Sequence, residues 1–364
     1  MLVTIAFLTC SNKSTSMNKY TLLVVGAVFC TGIFALNLDL TQGKKKPKPF
    51  RVMFYNVENL FDVEDDEGVD DADFLPSAEA KWTQERLDVK LGHIAQVIRA
   101  VGGEDLPDVV GFSEVENRKV LDFLLQNTDL KKEGYSVVHY DSPDKRGIDV
   151  GLIYRKDRFT FLKSGKYPVI FSVDNDKPTR DLLYVKGMLP NKSSLHLVVN
   201  HWPSRSGGAS ETEPKRMDAA KAAKRLCDSI QTNEKNANIL LMGDFNDYPT
   251  NKSMREVMQA EIDSTNKSGS IYNMMGWQKG EGVGSHQYKG DWGFLDQFLA
   301  SEALIKGSSG MQTWFNQAKV LKADFLLVKN EKYGTMEPSR TYGGKNYLGG
   351  YSDHLPVFVD IWMK

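Results

Sequence analysis

Five short apolar runs in this 364-residue chain each end in a residue able to handle a metal ion or a phosphate. They are Phe54-Tyr55-Asn56-Val57-Glu58-Asn59, Gly111-Phe112-Ser113-Glu114-Val115-Glu116-Asn117, Val199-Asn200-His201-Trp202, Met242-Gly243-Asp244-Phe245-Asn246-Asp247 and Tyr351-Ser352-Asp353-His354-Leu355-Pro356. Their polar members of interest are Asn56, Glu114, His201, Asp244 with Asn246, and Asp353 with His354. Burying a carboxylate or imidazole at a strand end costs free energy unless something pairs it. Several such ends converging on one cation would offset that cost. A phosphodiester is negatively charged and repels hydroxide, so a site that hydrolyses it must neutralise charge and position water. A metal, two imidazoles and an amide suit the first task. A carboxylate such as Asp244, its basicity tuned by neighbours, suits the second. No zinc-type cluster of Cys and His occurs in the sequence.

The elements that must position these residues alternate along the chain without an obvious linker after Phe50. Arg51–Val57, Asp108–Phe112, Asp149–Tyr154, Leu195–Asn200 and Asn238–Met242 read as strands. Phe294–Leu299, Lys322–Val328 and Leu355–Ile361 make the last third strand-like again. Thr83 reads as an N-cap, because Leu87, Leu91, Ile94, Ala95 and Ile98 share one helical face and Gly102-Gly103 stops it. A second helix is expected over Arg216–Ile230. Strands outnumber helices and mix with them throughout, which predicts one α/β (α+β) domain over 50–364 rather than a βαβ barrel. No repeat at a fixed period is present.

With these residues in hand, the chain resembles the endonuclease/exonuclease/phosphatase family, which includes pancreatic-type deoxyribonuclease, apurinic endonucleases, neutral sphingomyelinases and inositol polyphosphate 5-phosphatases. The likeness rests on GDFND (Gly243–Asp247) and SDHLPV (Ser352–Val357), with SEVEN (Ser113–Asn117) upstream, and runs in order from Phe50 to Lys364. It implies a four-layer sandwich, two β-sheets flanked by helices, with the site on one edge. It also implies Glu114 as main Mg²⁺ ligand, helped by Asn56 and Asp353, since oxygen donors suit a hard octahedral ion. Mn²⁺ or Ca²⁺ would be alternatives. By the same resemblance Asp244 orients or deprotonates the attacking water and Asn246 holds a phosphate oxygen. His354 contacts the scissile phosphate, and Asp296 fixes that imidazole. His201 serves as leaving-group acid or phosphate ligand.

Three further residues are candidate substrate contacts. Asp149 could orient His201 or cap a strand start. Arg180 resembles an arginine that grips backbone phosphate, and Arg205, in the loop from Trp202 to Pro214, has similar standing. Tyr154 and Trp202 are expected in the core, and His93 and His196 in structural roles. His139 has no motif around it. His286 lies in a glycine-rich stretch near the expected site. The acidic run Asp62–Asp73 misses the glycine and glutamate positions of a calcium loop and is expected to be solvated.

Lysine plus arginine nearly cancels aspartate plus glutamate, for a net charge of -1. Whole-surface attraction to nucleic acid is therefore excluded, and a polyanionic substrate must be held locally. The apolar stretch Thr21–Leu36 after Lys19 reads as a signal peptide within 1–37, or as an uncleaved anchor, with 1–16 a possible start-site extension. A basic linker spans 38–49. Export is expected either way, and Cys227 alone would remain in a mature chain, most simply as a core residue. The expected activity is that of an exported, nuclease-like phosphodiesterase, a monomer without an obligate protein partner. The alternatives are a sphingomyelinase-like lipid phosphodiesterase, an inositol-type phosphatase, or a binding domain without catalysis. A sphingomyelinase would expose an apolar hairpin, for which Tyr272–Trp277 is the candidate.

Overall fold

The computed structural model describes residues 48–173, 178–263, 271–278, 280 and 282–364. The expected signal or anchor segment 1–37 and the linker up to residue 47 lie outside them. In chain order the elements begin with β1 (Phe50–Leu60), helix α1 (Gln84–Gly102), β2 (Val109–Val115), α2 (Arg118–Asn127), β3 (Tyr135–His139) and β4 (Asp149–Arg155). Next come β5 (Thr160–Tyr167), β6 (Leu182–Met188), β7 (Ser194–His201), α3 (Glu213–Asn233) and β8 (Asn238–Asp244). Then follow β9 (Ala260–Glu261), β10 (Ile271–Asn273), β11 (His286–Tyr288), β12 (Asp291–Gly293), β13 (Asp296–Ser301) and α4 (Glu302–Lys306). The chain closes with β14 (Met311–Gln312), β15 (Lys319–Val320), β16 (Leu327–Asn330), β17 (Thr335–Pro338), β18 (Tyr342–Gly343), β19 (Asn346–Tyr347) and β20 (Val357–Met363).

Two seven-stranded mixed sheets carry the fold, in the orders β14-β20-β1-β2-β4-β3, with β15 also on β20, and β5-β6-β7-β8-β13-β10-β9. Strand alternation builds the layers. In β1, Phe50, Val52 and Phe54 enter one core with Leu197, Leu240 and Met242 of the other sheet. The intervening Met53, Tyr55 and Val57 join Leu87, Leu91, Ile94 and Ile98 of α1. In the second sheet Ile239 and Leu241 turn outward onto Ala219, Ala223 and Cys227 of α3. Both faces of the central strands are buried, which is why their sequences are continuously apolar rather than alternating. The result is the expected four-layer sandwich.

Register sets the site. β1 and β2 are parallel, with Asn56 opposite Ser113. β7 and β8 are parallel, with His201 opposite Asp244. β13 runs antiparallel to β8 and starts with Asp296 opposite Asp244. β20 runs antiparallel to β1, so the residues just before Val357 sit near the end of β1. All these termini therefore reach one edge.

Two local expectations differ, and three strands were not expected. Lys322–Val328 is not one strand: Leu326 N–H bonds the Ala323 carbonyl, closing a 3₁₀ turn over Asp324–Leu326 before β16 begins. The last strand starts at Val357, after Pro356, which has no N–H to give a ladder. β3, β5 and β6 had no strong signal, and β5 is an exposed strand at the end of its sheet with little apolar alternation.

Candidate active site

Asp244 is the geometric hub. Its Oδ1 accepts the Asn246 N–H at 2.9 Å, and its Oδ2 accepts Asn56 Nδ2 at 3.1 Å and Asn246 Nδ2 at 3.3 Å. His201 Nε2 and His354 Nε2 stand 3.7 Å and 3.9 Å from the same oxygen. Burial raises the Asp244 pKa to about 7, with the Asp296 and Glu114 charges adding and His354 opposing. Gly243 lets this corner close, because a Cβ there would lie 2.3 Å from the Asn200 carbonyl oxygen. Asn246, at φ 49°, sits in the left-handed region that a short amide side chain tolerates.

His354 is held through its Nδ1, 2.7 Å from Asp296 Oδ2. Burial alone would push this imidazole down, but Asp296, Asp244 and Asp353 outweigh it and hold the pKa well above the ordinary value. His201 goes the other way. Burial, then the Arg180 and Arg146 guanidinium groups, push it well below, so it is neutral. The surroundings thus favour the charged form of one imidazole and the neutral form of the other.

Glu114, also left-handed at φ 61°, accepts Asn59 N–H at 3.0 Å and Asn56 Nδ2 at 3.2 Å. Asp353 is held by Arg340 at 2.6 Å. Burial opposes ionisation of Asp353, but His354, Arg340 and His286 pull its pKa below the ordinary value. Oxygen donors from Glu114, Asp244 and Asp353 line one cavity of about 780 Å³, with Arg146, Arg205, Tyr248, His286 and Tyr288 also on its wall. Asp296 Oδ1 is buried without a hydrogen bond. Asp244, Asp296 and His354 place possible ligand atoms within 4.8 Å of one another, as do His286, Asp353 and His354. This carboxylate surplus fits a hard divalent cation. Asn56 fits less directly, since its Oδ1 already accepts the Glu58 N–H at 3.0 Å and its Nδ2 faces the carboxylates.

Two expected substrate contacts are placed elsewhere. Asp149 does not orient His201: its Oδ1 caps Ser142 N–H at 2.9 Å and its Oδ2 lies 3.1 Å from His139 Nε2. The register that starts β4 at Asp149 beside β3 directs this carboxylate to its own hairpin. Arg180 is buried, its two Nη atoms donating to Asp144 Oδ2 and the Trp202 carbonyl, both at 2.9 Å, so it braces the site and lines a smaller neighbouring cavity rather than this one. Arg205 does face it, 4.7 Å over the Tyr248 ring.

Arg146, Tyr248 and Tyr288 were not anticipated, because a loop fold rather than a local pattern brings them in. A separate loop on the cavity wall, 204–209, is pinned by buried Arg216 of α3, whose guanidinium donates to the Ala209 carbonyl at 2.6 Å and the Ser204 carbonyl at 3.4 Å. Arg216 Nε also bonds Asp247 at 2.7 Å. His286 does reach the site, its ring 4.7 Å from that of His354. Tyr154 packs on Phe159 and Phe161, and Trp202 is buried, as expected. His93 bonds the Gly350 carbonyl and His196 bonds Tyr184, both away from the cavity. The acidic run is less solvated than expected, with Asp62 and Asp71 buried as caps for Glu64 and Asp66. A smaller cavity of about 260 Å³ lies at the opposite ends of β1 and β2, where Asp108 pairs with Arg158 and accepts the Arg51 backbone N–H, and the Arg51 guanidinium pairs with Asp360.

Comparison with known proteins agrees with this edge-of-sandwich arrangement. The model of the endonuclease/exonuclease/phosphatase family matches residues 51–363, and the chain belongs to that family. It is accordingly a hydrolase acting on phosphate ester bonds. Among solved structures it is similar to the human Nocturnin catalytic domain with bound sulfate (16% identity, 87% of this chain and 95% of that one, TM-score 0.52). It is also similar to a family member from Bacteroides thetaiotaomicron (16%, 88% and 99%, TM-score 0.53) and to a mannosyl-6-phosphatase of the same organism (15%, 86% and 99%, TM-score 0.54). At these identities the likeness is one of fold. No curated protein matches the chain.

Proposed function

We propose that this chain is an exported, Mg²⁺-dependent phosphodiesterase of nuclease-like type. One observation carries the reading: Asp244 Oδ2 lies within 3.1–3.9 Å of Asn56, Asn246, His201 and His354 at the wall of one cavity. Glu114 and Asp353, with help from Asn56, would hold the cation, which supplies charge neutralisation at the phosphate. Asp244 orients the attacking water and takes its proton as that oxygen bonds to phosphorus and the ester P–O bond breaks, the leaving oxygen departing as an alkoxide that takes a proton from solvent. Asn246, whose Nδ2 donates to the Trp202 carbonyl and Asp244 Oδ2, would turn one of these N–H groups to a phosphate oxygen. His354, kept charged by Asp296, meets the negative charge that builds up during in-line attack. Neutral His201 is better suited to donate a hydrogen bond to the phosphate than to supply the leaving-group proton. Arg205 and Arg146 are positioned for the anionic substrate. Export rests on the N-terminal apolar stretch alone.

A second reading, a phosphatase of small esters, is favoured by the bounded cavity between the 204–209 loop and Tyr288. A lipid substrate is less supported: in Tyr272–Trp277, Tyr272, Met274 and Met275 are buried and Trp277 alone of its large apolar side chains is exposed. The test is hydrolysis by the full chain in Mg²⁺ of supercoiled plasmid, a bis-aryl phosphodiester, a sphingomyelin surrogate and an aryl phosphate monoester, with chelator and Asp244→Asn controls. Chelator-sensitive nicking lost in the variant supports the nuclease-like reading. Turnover of the monoester alone selects the phosphatase, and turnover of sphingomyelin alone the lipid enzyme. No hydrolysis of any ester refutes both readings and leaves a binding domain.

A further inference from the structure

We infer a second metal site, separate from the catalytic centre, formed by His139, Asp149 and Asp141 at the β3–β4 hairpin and suited to a zinc-like divalent ion. The possible ligand atoms of the three lie within 4.8 Å of one another. His139 closes β3, Asp149 opens β4, and the antiparallel register sets His139 opposite Gly151, two residues on from Asp149. The imidazole and the Asp149 carboxylate are nearly inaccessible, at 2% and 4% of their side-chain surface.

The decisive feature is an unsatisfied nitrogen. His139 Nε2 is buried and makes no hydrogen bond, although Asp149 Oδ2 stands only 3.1 Å away. Buried ring nitrogens normally find a partner. Two atoms so close but not aimed at each other can both point at a third body. Neighbouring ligands at about 2.1 Å from a zinc-sized ion are roughly 3.0–3.4 Å apart, which matches this separation. The other Asp149 oxygen is already fixed by the Ser142 backbone N–H, so the carboxylate is oriented as an outer-shell partner would orient a ligand.

Asp141 supplies a mobile third ligand. Its carboxylate is 88% exposed and lies 3.7 Å from His139 Nδ1, the other ring nitrogen, so it would turn round the edge of the imidazole to meet an ion at Nε2. One imidazole with carboxylates suits zinc and its first-row neighbours, whereas Mg²⁺ prefers oxygen and water alone. The bound ion would fix the hairpin that carries Asp144, the partner of Arg180, and Arg146 on the cavity wall.

The test is Zn²⁺ stoichiometry and affinity, by equilibrium dialysis of the full chain and its variants. The site predicts that His139→Gln loses one equivalent of Zn²⁺, that Asp141→Asn weakens that equivalent at least tenfold, and that Asp244→Asn retains it. Because Asp141 is exposed, Asp141→Asn folds normally and decides the matter if His139→Gln does not. Unchanged stoichiometry and affinity in Asp141→Asn and in any folded His139→Gln would overturn the inference. The readout needs no enzymatic activity, so failure here is distinct from failure of the phosphodiesterase reading.

Discussion

The pair most open to a quantitative test is Asp296 with His354. Both side chains are buried, at 1% and 7% exposure, and their contact of 2.7 Å is that of a charge-assisted hydrogen bond. Replacing Asp296 by Asn keeps the shape and a possible acceptor but removes the charge that holds His354 protonated. A hydrogen bond to a charged group contributes about 1.5–3 kcal/mol. If that interaction serves the transition state, the loss corresponds to a roughly ten- to hundredfold lower kcat. KM should move little, because Asp296 contacts the imidazole and not the cavity. The assay is steady-state hydrolysis of whichever ester the wild-type chain turns over, with thermal denaturation to establish that the variant is folded. A folded Asp296→Asn retaining kcat within threefold would sink the idea that Asp296 acts through His354. A large rise in KM at constant kcat would instead make the dyad part of ground-state binding.

Two further predictions concern the frame. Gly243→Ala should destabilise the domain by about 1–3 kcal/mol in urea denaturation, because its Cβ would meet the Asn200 backbone oxygen at 2.3 Å. Asp218, despite burial that opposes its charge, is held below the usual carboxylate range by Ser172 N–H and Oγ and by Lys221. A depressed carboxyl stabilises the fold above its unfolded pKa, about 4, and that contribution disappears as pH falls through the lower folded value. The Tm gap between wild type and Asp218→Asn should thus be full at pH 7 and shrink as pH falls through and below the ordinary carboxylate range, about 4.

Much of the site was legible because its chemistry sits where strands end. Asn56, Glu114, His201 and Asp244 each follow a run of buried residues, and His354 stands just before one, so local sequence marks both the strand and the point where it emerges or enters. Asp149 was less legible, since its partner depends on a hairpin register: with β4 starting there, the carboxylate meets His139 instead of His201. Arg180 carried the right charge but its burial depended on Asp144, 36 residues away. Arg146 and Tyr248 reach the cavity through loops and Tyr288 through the short β11–β12 hairpin, whose course the apolar period does not encode. The same reasoning explains β5, whose exposed position at the end of its sheet removes the alternation that would have announced it.

The Arg216 brace bears on how selective the cavity can be. A six-residue wall fastened at Ser204 and Ala209 by one buried guanidinium has already surrendered much of its conformational freedom before any ligand arrives. Binding then pays little to order it, so affinity tracks how well a ligand fits the preset shape. Such a wall discriminates by size and charge placement, and it changes specificity by substitution of its own residues more readily than by adapting to a new guest.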